Sequence, residues 1–124
     1  MVEPIFRKSD LEVVGGTPAI YSHRSEGSGK MVHVHFCQAC GTKLWLSFER
    51  FADVVGVYAG TFDDPCWFPI RPETAKHIFL DVARSDSIIP PGLPAFRQHA
   101  STADGAPCAP TVYDAPHPMS DERF

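Results

Sequence analysis

A tight pair of cysteines constrains this 124-residue chain more than any other feature. Phe36-Cys37-Gln38-Ala39-Cys40-Gly41 lies between two apolar runs. Two thiolates separated by two residues can converge on one tetrahedral metal while the chain reverses beneath them. Glycine after the second cysteine tolerates the positive φ that such a reversal needs. The segment therefore predicts a zinc-knuckle turn at the tip of two antiparallel strands. A closed structural site takes four ligands, and no second Cys-x-x-Cys occurs in the sequence.

The surrounding pattern is that of short strands parted by turns. Leu11 to Val14 reads as a strand stopped by Gly15-Gly16. Ala19 to Arg24 and Met31 to Phe36 flank the polar, glycine-rich Ser25 to Lys30, which predicts a hairpin. Leu44 to Phe48 follows the knuckle, and Asp53 to Thr61 reads as a further strand in which Gly56 and Gly60 predict a bulge or a close backbone approach. Asp63-Asp64-Pro65 reads as turn chemistry rather than a carboxylate pair for acid–base work. His77 to Val82 completes the series. No helical periodicity is sustained, so the fold class is mostly β.

After Ser85 the composition changes. Seven of the 12 prolines fall between Pro90 and Pro118. The expected organisation is one domain over residues 1–98, followed by a proline-rich tail over 99–124 that is extended or disordered for want of apolar area. The net charge of −4 comes without any Lys/Arg cluster, which argues against a nucleic-acid partner bound through phosphates. No apolar stretch approaches the roughly 20 residues that span a bilayer, so no membrane partner is expected. There is no signal-peptide pattern, and the four cysteines read as thiols in a reducing cytoplasm.

Three segments in register resemble a known family. Gly16-Thr17-Pro18-Ala19-Ile20-Tyr21, Phe36-Cys37-Gln38-Ala39-Cys40-Gly41-Thr42-Lys43-Leu44 and Ala59-Gly60-Thr61-Phe62-Asp63-Asp64-Pro65 are similar to the hairpin start, the zinc knuckle and the Asp-Asp-Pro turn of one family. It is the glutathione-dependent formaldehyde-activating enzyme (GFA) family, also described as the centromere-protein-V/GFA domain. His77-Ile78-Phe79 resembles the family's strand after that turn. The resemblance implies Mss4-like antiparallel β-sheets, zinc held by cysteine thiolates, and carbon–sulfur lyase activity of the kind that joins formaldehyde to glutathione. Glutathione, or a small thiol adduct of it, would then be the co-substrate. The family's upstream Cys-x-Cys and Cys-x-Cys-x-x-Cys segments would fall before Met1, so the expectation is an N-terminally truncated domain without the catalytic cysteines. Of the family's metal ligands only Cys37 and Cys40 carry over.

Three routes would complete a metal site around those two thiols. His35 lies two residues before Cys37, on the same face of a strand, with His33 beside it; Cys37, Cys40 and His35 together would leave zinc one open position. Alternatively Cys66 or Cys108 folds in, or a two-fold homodimer pools two knuckles. Simpler readings stand beside these. His33 and His35 face solvent opposite Val32, Val34 and Phe36; Cys66 is a buried small hydrophobe; His77 is structural; Trp45, Tyr58 and Trp67 line a core or cleft. The alternative to an enzyme is a non-catalytic structural or interaction module. A dithiol redox role is disfavoured, because the Cys-x-x-Cys does not open a helix. Loss of the covering strands would expose a sheet edge and an apolar face, which predicts a homodimer, with strand addition as one route to it.

Overall fold

The computed structural model describes residues 1–122, with side chains through Ser120. The chain is mostly β and divides into two compact units, Met1–Phe68 and a second that begins at Pro69. Among the described residues no helix is long and apolar enough to cross a membrane.

The first unit is an antiparallel sheet of β1 (Ile5–Arg7), β2 (Ala19–Arg24), β3 (Met31–Phe36), β4 (Lys43–Phe48) and β5 (Val54–Val57), in the order β1-β5-β4-β3-β2. The hairpin β2–β3 and the strand after the knuckle fall where the sequence places them. Ser25 N–H closes the hairpin on the Lys30 carbonyl at 2.8 Å. Directly opposed residues share a face, so the register sorts the side chains. One face carries Ile20, Ser22, His33, His35, Trp45, Ser47, Val55, Val57 and Phe6; the other carries Tyr21, Val32, Val34, Phe36, Leu46, Phe48 and Gly56.

An aromatic cluster covers the β1–β5 end of the first face. Phe6 stacks on Trp67 with centroids 5.7 Å apart, and Phe62 lies 5.6 Å from Trp67 and 5.5 Å from Phe68. Edge-to-face and offset stacking of this kind adds to simple area burial. Beneath it Val55 is only 1% exposed. On the opposite face Gly56 is buried, and the Glu3 side chain occupies the space where a Cβ would stand.

Two expected strands in this unit are corrected. Residues 11–14 form no strand, because the chain turns through a 3-10 helix at Lys8–Asp10 after the short β1. Asp53 to Thr61 is a strand only over Val54–Val57, since Ala59–Thr61 coils into a second 3-10 turn with the Thr61 hydroxyl bonded to the Tyr58 carbonyl at 2.8 Å.

The second unit contains β6 (Ile88–Ile89), β7 (Pro94–Ala95), β8 (Thr111–Val112) and β9 (His117–Pro118), paired β6–β9 and β7–β8. The expected strand His77 to Val82 reduces to a bridge between His77 and Ala95 and a 3-10 turn at Leu80–Val82. Phe79 breaks it by adopting a left-handed conformation, φ 60° and ψ 38°. The stretch after His99 is not an unpartnered tail: its Met119 joins Leu80, Ile89 and Ala95 in a small core, with Tyr113 against it. A few well-spaced apolar residues, rather than overall composition, hold it in place. Residues 123–124 of the expected tail lie outside the described residues.

Candidate functional site

The knuckle forms as a closed turn. Cys37 N–H donates to the Thr42 carbonyl at 2.9 Å, and Gly41 N–H donates to the Cys37 carbonyl at 2.8 Å. Gly41 sits at φ 76°, the left-handed position that favours glycine. The Gln38 side chain ties the turn to the Thr17 carbonyl ahead of β2. Cys37 is half-buried and Cys40 exposed.

Cys40 has an environment of its own. Its Sγ lies 3.1 Å from the Thr42 hydroxyl. The thiol pKa is held below its ordinary value by that side-chain hydrogen bond first, then by the Thr42 backbone and by Cys37, against a small opposing effect of burial. Hydrogen bonds to the charged form favour it. The turn thus presents a pair of thiols whose exposed member is shifted toward the thiolate, the form that attacks electrophiles and binds metals.

His35 and His33 lie on the face shared with Trp45, each engaged with a serine across a strand. The His33 Nδ1 and Ser22 Oγ are 2.7 Å apart, and the His35 Nε2 and Ser47 Oγ are 2.9 Å apart. His35 also stacks on Trp45, centroids 4.5 Å apart at 15°. Its pKa is lowered, chiefly by burial and then by the charges of His33 and Lys8. The register between β3 and β4 shifts at His35/Phe36: His35 opposes Trp45 and Phe36 opposes Lys43, which leaves Leu44 as the extra residue. Such a bulge bends and twists the ladder next to the turn it precedes.

Among the described residues no group of three or more His, Cys, Asp and Glu side chains is placed to hold a metal ion. Cys37 and Cys40 are brought together; His35 is committed to Ser47 and Trp45. A tetrahedral zinc would therefore find two of its ligands here, and the residues as arranged do not make a complete site.

The other candidates are dispersed. Cys66 is exposed rather than buried, in a turn where its N–H donates to the Asp64 carboxylate at 2.9 Å. That bond is the turn chemistry expected of Asp64. In the second unit Cys108 is half-buried, and its N–H donates to the Ala100 carbonyl at 2.9 Å. The His77 Nε2 is buried and has no hydrogen-bond partner among the described residues, and burial lowers that imidazole's pKa. The second unit also holds a cleft of about 240 Å³, lined by Leu80, Ala95, Phe96, Arg97, Thr111, Tyr113 and Met119.

Sequence reasoning did not find Ser22, Ser47 and Thr42 as the partners of His33, His35 and Cys40. Once the Ser25 to Lys30 loop fixes the hairpin, Ser22 falls opposite His33, so one of the three was recoverable from register alone. The comparison with curated proteins and the comparison with solved structures each gave no match. The sequence model of the family described as "Glutathione-dependent formaldehyde-activating enzyme" matches residues 1–81, a span that holds the whole sheet and the knuckle, and the chain belongs to that family.

Proposed function

We propose that this chain takes part in the chemistry its family is named for, the making or breaking of a carbon–sulfur bond between formaldehyde and a thiol of glutathione type. The knuckle is the observation that carries this reading: two adjacent thiols in a closed turn, with the Cys40 thiol shifted toward thiolate by Thr42. In such a reaction a thiolate sulfur attacks the formaldehyde carbon, the carbonyl electrons move to oxygen, and that oxygen takes a proton. Cys37 and Cys40 are the proposed zinc ligands of an Mss4-like scaffold, and zinc would polarise the carbonyl when bound. His35 is the proposed third ligand; it enters the set only by leaving Ser47.

A second reading is a non-catalytic interaction module. It is supported by the engagement of His35 with Ser47 and Trp45, which spends the nearest imidazole on the sheet itself.

Metal content on protein purified without a metal-affinity column, together with NMR detection of the hydroxymethyl thioether formed from formaldehyde and glutathione, separates the two. About one zinc per chain, lost in Cys37→Ser/Cys40→Ser, with adduct formation above the uncatalysed rate, supports the enzyme. About half a zinc per chain indicates knuckles pooled between copies. Adduct formation at the uncatalysed rate, with or without added zinc, overturns the enzyme reading.

A further inference from the structure

The sheet of the first unit ends in two edges that differ in kind. On one side the ladder of β1 with β5 runs on from the Val2 carbonyl to the Lys8 N–H, and the strand carries the charged Glu3, Arg7 and Lys8. Charge along a strand is a device that blunts an edge. On the other side β2 has six residues in unbroken register with β3, from Ala19↔Phe36 to Arg24↔Met31. It contains no proline, lysine or bulge, and Ile20 and Tyr21 are 58% and 61% exposed. No strand lies beyond it among the described residues.

Two bonds of the ladder fix which way the peptide groups of β2 point. Ser25 N–H donates to the Lys30 carbonyl, and Glu49 N–H donates to the Met31 carbonyl. Met31 therefore turns its peptide groups toward β4, so Val32, Val34 and Phe36 turn theirs toward β2. By alternation Ala19, Tyr21 and His23 pair inward, and Ile20, Ser22 and Arg24 direct their N–H and C=O groups outward.

The geometry points to β2 as a self-pairing edge that takes a second copy of this chain as an antiparallel strand, centred on Ser22. In that register Ser22 opposes Ser22 of the other copy, Tyr21 opposes His23, and Ile20 opposes Arg24. Each opposed pair keeps its face of the pleat. All three outward residues are used, giving about six ladder bonds. The Arg24 stems lie along Ile20, and the two Arg24 charges sit at opposite ends, so no like charges meet. Tyr21 and His23 are compatible rings, already stacked within one chain at 5.9 Å. Moving the centre to Tyr21 would pair only Ile20 with Ser22 within β2, four ladder bonds rather than about six, because Arg24 would fall against Pro18, which lies outside the strand and has no N–H. The occupant is a second copy because the strand is complementary to itself in shape, hydrogen bonding and charge placement.

This dimer differs from one that pools zinc ligands. Each knuckle is tied to Thr17 and lies beside the Ala19 end of β2. In the antiparallel pair the two Ala19 residues are six positions apart along the strands, about 20 Å at the strand rise. Two such thiol pairs cannot share one ion whose sulfur ligands stand about 2.3 Å away. Self-association at β2 is thus independent of the metal reading.

Sedimentation equilibrium of the full chain from about 5 to about 300 μM, with and without EDTA, tests it. The expected result is a reversible dimer of twice 13.7 kDa, unchanged by chelation and by Cys37→Ser/Cys40→Ser. Ser22→Pro removes an outward N–H while sparing the inward ladder; it should be monomeric with an unchanged β signal in circular dichroism. Should that variant fail to fold, amide exchange in the wild type decides: protection at Ile20, Ser22 and Arg24 should rise with protein concentration, while Ala19, Tyr21 and His23 stay protected throughout. A monomer across the range, a dimer dissolved by EDTA, a folded Ser22→Pro dimer, or concentration-independent exchange at the outward amides would overturn the proposal.

Discussion

Replacing Gly56 by alanine should stabilise the sheet, although Gly56 is a buried glycine in a central region of β5. Its φ is not in the left-handed region, so alanine fits the backbone, and the smaller freedom of the unfolded chain favours it by about 0.4–1 kcal/mol. The obstacle is the Glu3 side chain: a Cβ at position 56 would overlap its carboxylate and Cγ. That carboxylate is the far end of a flexible side chain that already resists its position, since burial raises the Glu3 pKa above its ordinary value. Swinging it into water relieves the desolvation. The sign with pH follows. A carboxyl whose folded pKa is raised contributes stability that is present below its unfolded pKa and is lost as pH rises through the folded value. The wild type therefore loses a little stability between acid and neutral pH through Glu3, and Gly56→Ala should remove that slope. Urea unfolding followed by tryptophan fluorescence should show a gain of about 0.5 kcal/mol at pH 7, shrinking in acid. Glu3→Gln should flatten the same slope without the entropic gain. A loss of more than about 1 kcal/mol in Gly56→Ala would refute the reasoning, because it would mean that rigid backbone rather than Glu3 fills the space.

Val55→Ala, at a site 1% exposed under the aromatic cluster, should lower stability by about 2 kcal/mol in urea unfolding, from two lost methyl groups and the space they leave. Phe79→Ile should be worse than Phe79→Asn by about 1–2 kcal/mol in the same assay, since a β-branched residue tolerates φ 60° poorly. Asp81 has its pKa lowered by hydrogen bonds from Gln98 and then Arg97. Its contribution is present above its unfolded pKa and is lost as pH falls through the folded one, so Asp81→Asn should weaken the acid dependence of the thermal midpoint.

The parts of this fold that were legible were those where one signal dominates. β2 and β3 could be read because a polar, glycine-rich loop separates two runs of matching length, and the knuckle because Cys-x-x-Cys-Gly leaves the backbone few choices. β1 was missed because three residues beside Pro4 offer no periodicity, and residues 11–14 misled because apolar content is not pairing. His77 to Val82 reads as a strand until Phe79 adopts a conformation that no local pattern announces; it is held by long-range bonds such as Phe79 N–H to the Gln98 carbonyl at 2.9 Å. At the candidate site the two cysteines were legible and the partners of the histidines were not. Alternation puts His35 and Cys37 on one face only while the ladder is regular, and the shift at His35/Phe36 lies where that rule was applied.

The stack of His35 on Trp45 gives the molecule an internal optical probe. The chain has two tryptophans: Trp67 lies among phenylalanines, and Trp45 lies under an imidazole. A protonated imidazole in van der Waals reach of an indole draws excited-state electron density and dims its emission. Because the His35 pKa is lowered, that dimming belongs to a more acidic range than for a free histidine, and it vanishes if the ring swings away to take a metal. With Trp67 replaced by phenylalanine, steady-state emission from a single residue would report what His35 is doing, in solution and without a label.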